Sequence, residues 1–161
     1  MDYLEFAIKM ELDGEKYYLE QAELNKDTAL YKVFTLLAQD EKKHADLVRN
    51  YANATNYQLS DENAITEFEN VFTNEDVFKV ENKTMADQMD AYKMALTKEQ
   101  ESIDLYTKLH DEVDDEKGKA LFVYLIKQEE YHYKIFDNVI EHLRKAEDWI
   151  EDAEFGVRDT Y

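Results

Sequence analysis

The sequence contains no cysteine and no proline, and only three of its 161 residues are glycine. Without cysteine it cannot form a disulfide, bind zinc or an iron–sulfur cluster through thiolates, or use a thiol nucleophile. With so little proline and glycine, few residues would interrupt regular structure, and the abundant glutamate, lysine, leucine and alanine are good helix formers. The composition therefore predicts an all-α domain, in which any metal must be bound by oxygen and nitrogen atoms.

Positive charge is also scarce, because 19 lysines and arginines stand against 38 aspartates and glutamates and the formal net charge is -19. Such an acidic surface repels nucleic-acid phosphates and anionic lipids, which argues against nucleic acid and membranes as partners. The sequence has no apolar run long enough to span a bilayer, and its first residues lack the basic segment and apolar core of a secretion signal. We therefore expect a cytoplasmic protein of one domain.

Apolar residues recur every three or four positions in four stretches, which predicts a bundle of four amphipathic helices within residues 1–146. The predicted helices span about residues 2–24, 28–51, 85–110 and 115–146. Residues 53–83 lose this period and are expected to form a crossover that returns along the bundle, in which Ile65, Phe68, Val71 and Phe72 can form apolar turns against the helices. The tail, residues 147–161, carries Trp149, Ile150 and Phe155 and is expected to dock on the bundle or on a second subunit.

The sequence has two halves that are related by a shift of 88 residues, from 41 to 129. Glu41 and His44 lie three residues apart in the second predicted helix, and Glu129 and His132 repeat this pair in the fourth. The same shift aligns further residues, namely Ala7 with Ala95, Glu11 with Glu99, Tyr18 with Tyr106, Phe34 with Phe122 and Leu37 with Leu125. Two such helix pairs joined by a crossover predict a four-helix bundle with an approximate internal two-fold axis.

Charged residues interrupt the apolar stripe of every predicted helix. Residues three or four apart share one face of a helix, so each Glu-x-x-His pair can present a carboxylate and an imidazole to one point. Glu11 and Glu99 interrupt the stripes of the first and third helices, each 30 residues before the glutamate of the following pair. Four carboxylates and two imidazoles are therefore expected to meet near the centre of the bundle.

Buried together without counter-charge, four carboxylates would each cost roughly several kcal/mol or become protonated, whereas two divalent cations would cancel their charge. Oxygen-rich ligation with one imidazole per metal suits iron or manganese, and zinc accepts the same ligand types. Two ions bridged by carboxylates would lie about 3.5 to 4 Å apart. The predicted ligands are two bridging glutamates, two terminal glutamates and one histidine for each metal: Glu41 and Glu129, Glu11 and Glu99, His44 and His132.

Each of these residues also has a simpler interpretation. In a sequence that is 35% charged, a single Glu-x-x-His is more often a solvated helix face, and a glutamate in an apolar stripe can extend to water. Six ligand-type residues at matching positions of both halves favour a metal site over a metal-free bundle. Glu15, Glu101 and Asp104 lie near the assigned glutamates and are alternatives to them. His110 and His142 have no glutamate at ligand spacing on the inner stripe and are expected at the surface.

Tyr18 and Tyr106 follow Glu11 and Glu99 by seven residues and so share their helix faces two turns further on. A core aromatic whose hydroxyl needs a partner is the default interpretation. The alternative is a hydrogen bond to a ligating carboxylate or histidine, which would hold that ligand in place.

These residues resemble the ferritin-like diiron-carboxylate superfamily, and within it the rubrerythrin-like proteins. The resemblance covers the four predicted helices through Glu11 with Tyr18, Glu41 to His44, Glu99 with Tyr106, and Glu129 to His132. It implies a non-haem diiron oxidoreductase that reduces hydrogen peroxide, or dioxygen, with the four glutamates acting through the metals. It also implies a homodimer and an external electron donor, such as a rubredoxin-like protein or a reductase, because the family's iron-tetrathiolate domain needs cysteines that this sequence lacks.

The sequence departs from the family at Ser102, where rubrerythrins have an additional glutamate that takes part in a redox-linked change of ligands. The serine argues against efficient peroxide reduction by that same cycle. Two other functions therefore stay open, namely sequestration of iron or another divalent metal without significant turnover, and a structural or interaction bundle.

Overall fold

The computed structural model describes residues 2–60, Phe68 and residues 85–156. Four long α-helices lie within these residues, Phe68 is also helical, and the described residues include no strand. The four long helices are α1 (Tyr3–Leu24), α2 (Leu30–Ala52), α3 (Met85–Glu112) and α4 (Glu116–Gly156). The predicted all-α bundle is therefore confirmed. Among the described residues no helix is long and apolar enough to cross a membrane.

The helices pack in the two pairs that the repeat predicts, α1 along α2 and α3 along α4. The carboxylate of Asp2 caps the start of α1 by accepting a hydrogen bond of 3.2 Å from the backbone N–H of Leu4. Five residues join α1 to α2, and the hydroxyl of Thr28 accepts from the backbone N–H of Leu30 at 3.2 Å. A turn this short makes the two helices of a pair neighbours that run in opposite directions.

The buried residues of the bundle form two apolar clusters with a charged layer between them. The first cluster contains Phe34, Leu37, Tyr92, Ile135 and Phe136, and the second contains Ala7, Val48, Tyr106, Leu121 and Leu125. Along each helix the buried side chains change from one cluster to the other across the predicted ligands. The apolar clusters supply the hydrophobic stabilisation, about 1.5–3 kcal/mol for each fully buried large side chain, that holds the charged layer in place.

The fourth helix is longer than predicted, because α4 continues to Gly156 and not to residue 146. No glycine or proline interrupts the sequence between Gly118 and Gly156, so nothing in the backbone ends the helix where the apolar stripe fades. An ion pair between Lys145 and Glu141, 3.9 Å apart on successive turns, adds a small favourable contribution. The side chains of Trp149, Ile150 and Phe155 lie outside the described residues, so docking of the tail stays a prediction.

The structure describes residues 53–60 and Phe68 of the crossover between α2 and α3. The side chain of Phe68 is buried in the first apolar cluster, as expected for an apolar turn against the bundle. The other residues of that expectation, Ile65, Val71 and Phe72, lie outside the described residues.

Candidate metal centre

All six predicted ligands are buried in the charged layer, and none is more than 4% exposed. They form two groups whose potential ligand atoms lie within 4.8 Å of one another. The groups are Glu11, Glu41, His44 and Glu129, and Glu41, Glu99, Glu129 and His132. Glu41 and Glu129 belong to both groups, which is the arrangement that two bridging carboxylates require. Each remaining glutamate and histidine belongs to one group.

His132 brings its Nδ1 atom close to three carboxylates. Nδ1 lies 2.9 Å from Oε1 of Glu41, 3.2 Å from Oε2 of Glu129 and 3.5 Å from Oε1 of Glu99. In spite of these short distances, neither His132 Nδ1 nor Glu41 Oε1 has a hydrogen-bond partner in suitable geometry. Neither atom therefore has a hydrogen bond that would compete with a bound metal ion.

Several other ligand atoms of the layer are also unpaired. Among the buried side-chain atoms without a hydrogen-bond partner are Oε2 of Glu11, Oε2 of Glu99 and Oε2 of Glu129. An unsatisfied buried polar group costs about 1–3 kcal/mol, and more when it is charged. Cations bound between these atoms would satisfy them and neutralise the carboxylates. The donor set therefore fits two metal ions bound through oxygen and imidazole nitrogen.

His44 occupies the matching position in the other group. Its Nδ1 lies 3.0 Å from Oε1 of Glu129 and 3.6 Å from Oε2 of Glu11. The rings of His44 and His132 stack with centroids 5.6 Å apart and an interplanar angle of 24°. Both imidazoles thus present the same nitrogen to the carboxylates, one from each half of the repeat.

Asp40 contacts the candidate site and was not predicted from the sequence. Its Oδ2 lies 3.0 Å from Nε2 of His132, so Nε2–H donates to the carboxylate and the ring is held with Nδ1 toward the glutamates. Burial raises the pKa of Asp40, but the hydrogen bond and charge of His132 outweigh it and lower the pKa. The 88-residue shift aligns Asp40 with Gln128, which is also buried. In both halves of the sequence a polar residue directly precedes the glutamate of the Glu-x-x-His pair, and this repeated position could have indicated Asp40.

Tyr18 and Tyr106 link α1 and α3 in a reciprocal way. The hydroxyl of Tyr18 on α1 donates to Oε1 of Glu99 on α3, and the hydroxyl of Tyr106 on α3 donates to Oε1 of Glu11 on α1. Burial and the nearby carboxylates raise the pKa of both tyrosines well above the usual value, so they remain donors. Each tyrosine hydroxyl donates to Oε1 of its glutamate, so Oε2 of Glu11 and Oε2 of Glu99 stay available to a metal ion.

The four carboxylates differ in their affinity for protons. Burial and repulsion from the other carboxylates raise the pKa of Glu41 and Glu129 well above the usual value. Burial also acts to raise the pKa of Glu11, but the charge of His44 and hydrogen bonds outweigh it and lower the pKa to about 2. The shared glutamates therefore have a higher affinity for protons than Glu11, and metal ions would displace such protons on binding.

A cavity of about 240 Å³ reaches the layer from the surface between α1 and α3. Tyr18, Glu41 and Glu99 line its inner end, and Gly14 and Ser102 line its walls. A Cβ atom at Gly14 would lie 2.7 Å from Oε2 of Glu41, so the absence of a side chain allows that carboxylate to approach α1. The hydroxyl of Ser102 donates to the carbonyl oxygen of Lys98 at 3.0 Å.

The alternative residues considered from the sequence lie outside both groups. Glu101 and Asp104 are exposed, and Asp104 accepts a hydrogen bond of 2.9 Å from Gln100. Glu15 is half-buried on α1. The two remaining histidines are also outside the groups: His110 is half-buried with Nδ1 3.1 Å from Asp111, and His142 is exposed with Nδ1 2.8 Å from the carbonyl oxygen of Asn138.

The sequence matches the model of a known protein family. Residues 2–140 match the model described as Rubrerythrin, a span that includes all six predicted ligands, Asp40 and both tyrosines. No curated protein and no solved structure matches the sequence significantly. The matched span covers most of the 161 residues, and it contains the two buried carboxylate and histidine groups. On this match the chain belongs to the rubrerythrin family.

Proposed function

We propose that this protein is a non-haem diiron oxidoreductase that reduces hydrogen peroxide, or less readily dioxygen, with electrons from an external donor. The observation that carries the proposal is the meeting of four buried carboxylates and two imidazoles in two groups that share Glu41 and Glu129. Membership of the rubrerythrin family supports the same assignment. The proposed cofactor is a pair of iron ions, with manganese and zinc as the other metals that these ligand types accept.

The side chains of the layer have distinct roles in this proposal. Glu41 and Glu129 would contact both ions, Glu11 and His44 would complete one site, and Glu99 and His132 would complete the other. When bound, two ferrous ions would supply the two electrons that the reduction of peroxide consumes. Asp40 fixes the ring of His132, and the two tyrosines fix the terminal glutamates.

The cavity between α1 and α3 gives a route from solvent to the layer. Reduction of hydrogen peroxide to two water molecules consumes two protons and two electrons, so the substrate and the protons must both reach the site. The cavity ends at Glu41 and Glu99, while the apolar clusters cover the layer along the bundle axis. We propose that peroxide and protons enter here.

We propose that the electrons for repeated turnover come from another molecule, because these 161 residues include no cysteine that could hold an iron–thiolate centre. A rubredoxin-like protein or a reductase is the proposed class of donor. The high negative charge of the chain would favour a donor with a positively charged docking surface.

The proposal is tested by mixing the anaerobic, Fe(II)-loaded protein with hydrogen peroxide in a stopped-flow instrument. We expect rapid ferric absorbance in the near ultraviolet, with one peroxide consumed for each pair of ferrous ions. Glu129→Ala should abolish the rapid phase, whereas Glu130→Ala, at the exposed neighbouring position, should retain it. The absence of a peroxide-dependent phase in the wild type, or its persistence in Glu129→Ala, would contradict the proposal.

Sequestration of iron or another divalent metal without turnover is the second candidate, and Ser102 is the observation that favours it. The family has an additional glutamate at this position, and serine cannot replace it as a ligand. Steady-state assays with a reductase and rubredoxin separate the two functions. Sequestration predicts a single oxidation with no further peroxide consumption, whereas the oxidoreductase consumes many peroxide molecules for each protein.

A further inference from the structure

The cavity between α1 and α3 exists because both halves of the repeat have a small residue at the same position. Gly14 and Ser102 are aligned by the 88-residue shift, and each lies three residues after the terminal glutamate of its helix. Both are buried and both line the cavity. A larger side chain at position 102 would project into this space. The two small residues therefore determine how large a molecule can reach Glu41 and Glu99.

The cavity is larger than hydrogen peroxide requires. A water molecule needs roughly 10–15 Å³ of such volume, and hydrogen peroxide contains only two oxygen atoms. The cavity provides about 240 Å³. It therefore has room for a substrate that carries an organic group in addition to its reactive oxygens.

The lining of the cavity indicates the chemical class of that substrate. Phe6 and Met10 provide apolar surface away from the layer, and Glu41 and Glu99 provide oxygen atoms at the inner end. An apolar wall with polar groups at one end suits a molecule that has an alkyl or aryl body and a polar head.

The charges at the opening balance one another. Two lysines and two acidic residues line it, namely Lys9, Lys98, Asp13 and Glu101. Lys98 also lies over the ring of Tyr17, with Nζ 5.0 Å from the ring centroid. Because the opening carries no net charge, it does not select for an ion of either sign and admits an uncharged molecule.

We propose that this cavity binds small uncharged organic hydroperoxides, with the organic group against Phe6 and Met10 and the hydroperoxide group toward Glu41 and Glu99. The inference deepens the proposed function and rests on it. In the proposed reaction the O–O bond would break, and ROOH would take up two electrons and two protons to give the alcohol ROH and one water molecule. A reduced metal pair held by the layer would supply the electrons, and solvent would supply the protons. The external donor then replaces the two electrons.

Binding is tested without turnover by NMR of the full-length, metal-free protein that carries 13C-methyl methionine. The probe is 2-phenyl-2-propanol, the alcohol that cumene hydroperoxide would yield. We expect a saturable shift of the Met10 methyl signal and no shift of Met94, an exposed methionine that does not line the cavity. Ser102→Leu fills the cavity and should abolish the shift, whereas Ser102→Ala keeps the space and should retain it. A wild-type Met10 signal that does not respond would overturn the inference.

Turnover is tested by comparing cumene hydroperoxide with hydrogen peroxide on the iron-loaded protein. Ser102→Leu should lower kcat/KM for cumene hydroperoxide at least about tenfold more than for hydrogen peroxide, while Ser102→Ala keeps the wild-type ratio. If Ser102→Leu does not retain two iron ions, Phe6→Trp narrows the exposed opening and should change the ratio in the same direction.

The outcomes distinguish the two proposals. Reaction with hydrogen peroxide but not with cumene hydroperoxide overturns the inference and leaves the proposed function in place. Equal losses for both peroxides in the cavity-filling variants also overturn the inference. If neither peroxide oxidises the ferrous protein, the proposed function fails and the substrate assignment fails with it.

Discussion

The Nε2 atom of His132 lies 3.0 Å from Oδ2 of Asp40, a carboxylate that belongs to neither ligand group. This hydrogen bond fixes which ring nitrogen faces the glutamates. We predict that Asp40→Ala lowers metal affinity about 10- to 100-fold, because the ring of His132 loses the partner that orients it. Competition with a chromophoric chelator measures the change.

Asp46→Ala is the matched control for that experiment. Asp46 lies on the same helix, but its side chain is 50% exposed and pairs with Arg49 at 2.9 Å. Its loss should leave metal affinity within about twofold of the wild type, since exposed ion pairs contribute little. Equal effects of the two substitutions would show that Asp40 has no specific role.

The shared and unshared ligands predict different metal stoichiometries. Glu129 belongs to both groups and His44 belongs to one. We therefore expect Glu129→Ala to lose both ions and His44→Ala to retain one, which elemental analysis after gel filtration measures. Retention of two ions by Glu129→Ala would contradict a bridging role for this residue.

Gly14→Ala should weaken metal binding without lowering the stability of the metal-free fold. Alanine favours a helix by about 1 kcal/mol relative to glycine, so the metal-free protein should become no less stable. The added Cβ would lie 2.7 Å from Oε2 of Glu41, so that carboxylate must move away from its position in the two groups. We predict a metal affinity at least about tenfold weaker, comparable to the loss of a residue that orients a ligand.

Thermal unfolding with and without metal tests both parts of this prediction. Ser102→Ala serves as the control, because it shortens the aligned residue without adding volume. If Gly14→Ala binds metal as tightly as the wild type, the close approach of Glu41 to α1 is not required for metal affinity, and the prediction is wrong.

The increase in thermal stability that metal binding gives should be larger at higher pH. Burial alone would lower the pKa of His44 and His132, but the neighbouring carboxylates raise it above the ordinary 6.5. In the metal-free protein their contribution to stability is complete below the unfolded-state pKa and is lost as the pH rises through the folded-state pKa. The raised pKa values of Glu41 and Glu129 likewise make the metal-free protein less stable as the pH rises.

Metal ions displace these protons, so affinity rises as fewer protons compete for the ligands. We predict that a fixed concentration of Mn(II) raises Tm more at about pH 8 than at about pH 6. Calorimetry in buffers of different ionisation enthalpy should also show proton release on binding. Equal increments of Tm at the two pH values would contradict the prediction.

The sequence predicted the helices because an apolar stripe of period 3.6 reports directly which face is buried. It also predicted the six residues that the structure brings together, since the repeat offered two independent copies of one pattern. The role of Asp40 could not be predicted because its partner, His132, lies on another helix. The spacing of residues within one helix does not show which residues of a neighbouring helix they contact. The cavity could not be predicted from the sequence, because the small side chains of Gly14 and Ser102 do not alter the periodic pattern of apolar residues. The end of α4 was misplaced because a solvated helix needs no apolar stripe to continue.

The charged layer between the two apolar clusters also determines how the bundle unfolds. With metal bound, attraction across the layer connects both ends of the bundle, and one cooperative transition is expected. Without metal, the layer contains unpaired polar atoms, and each cluster is held mainly by its own contacts. Protection from hydrogen exchange should then differ between the two ends of the same helix, and metal should make it uniform.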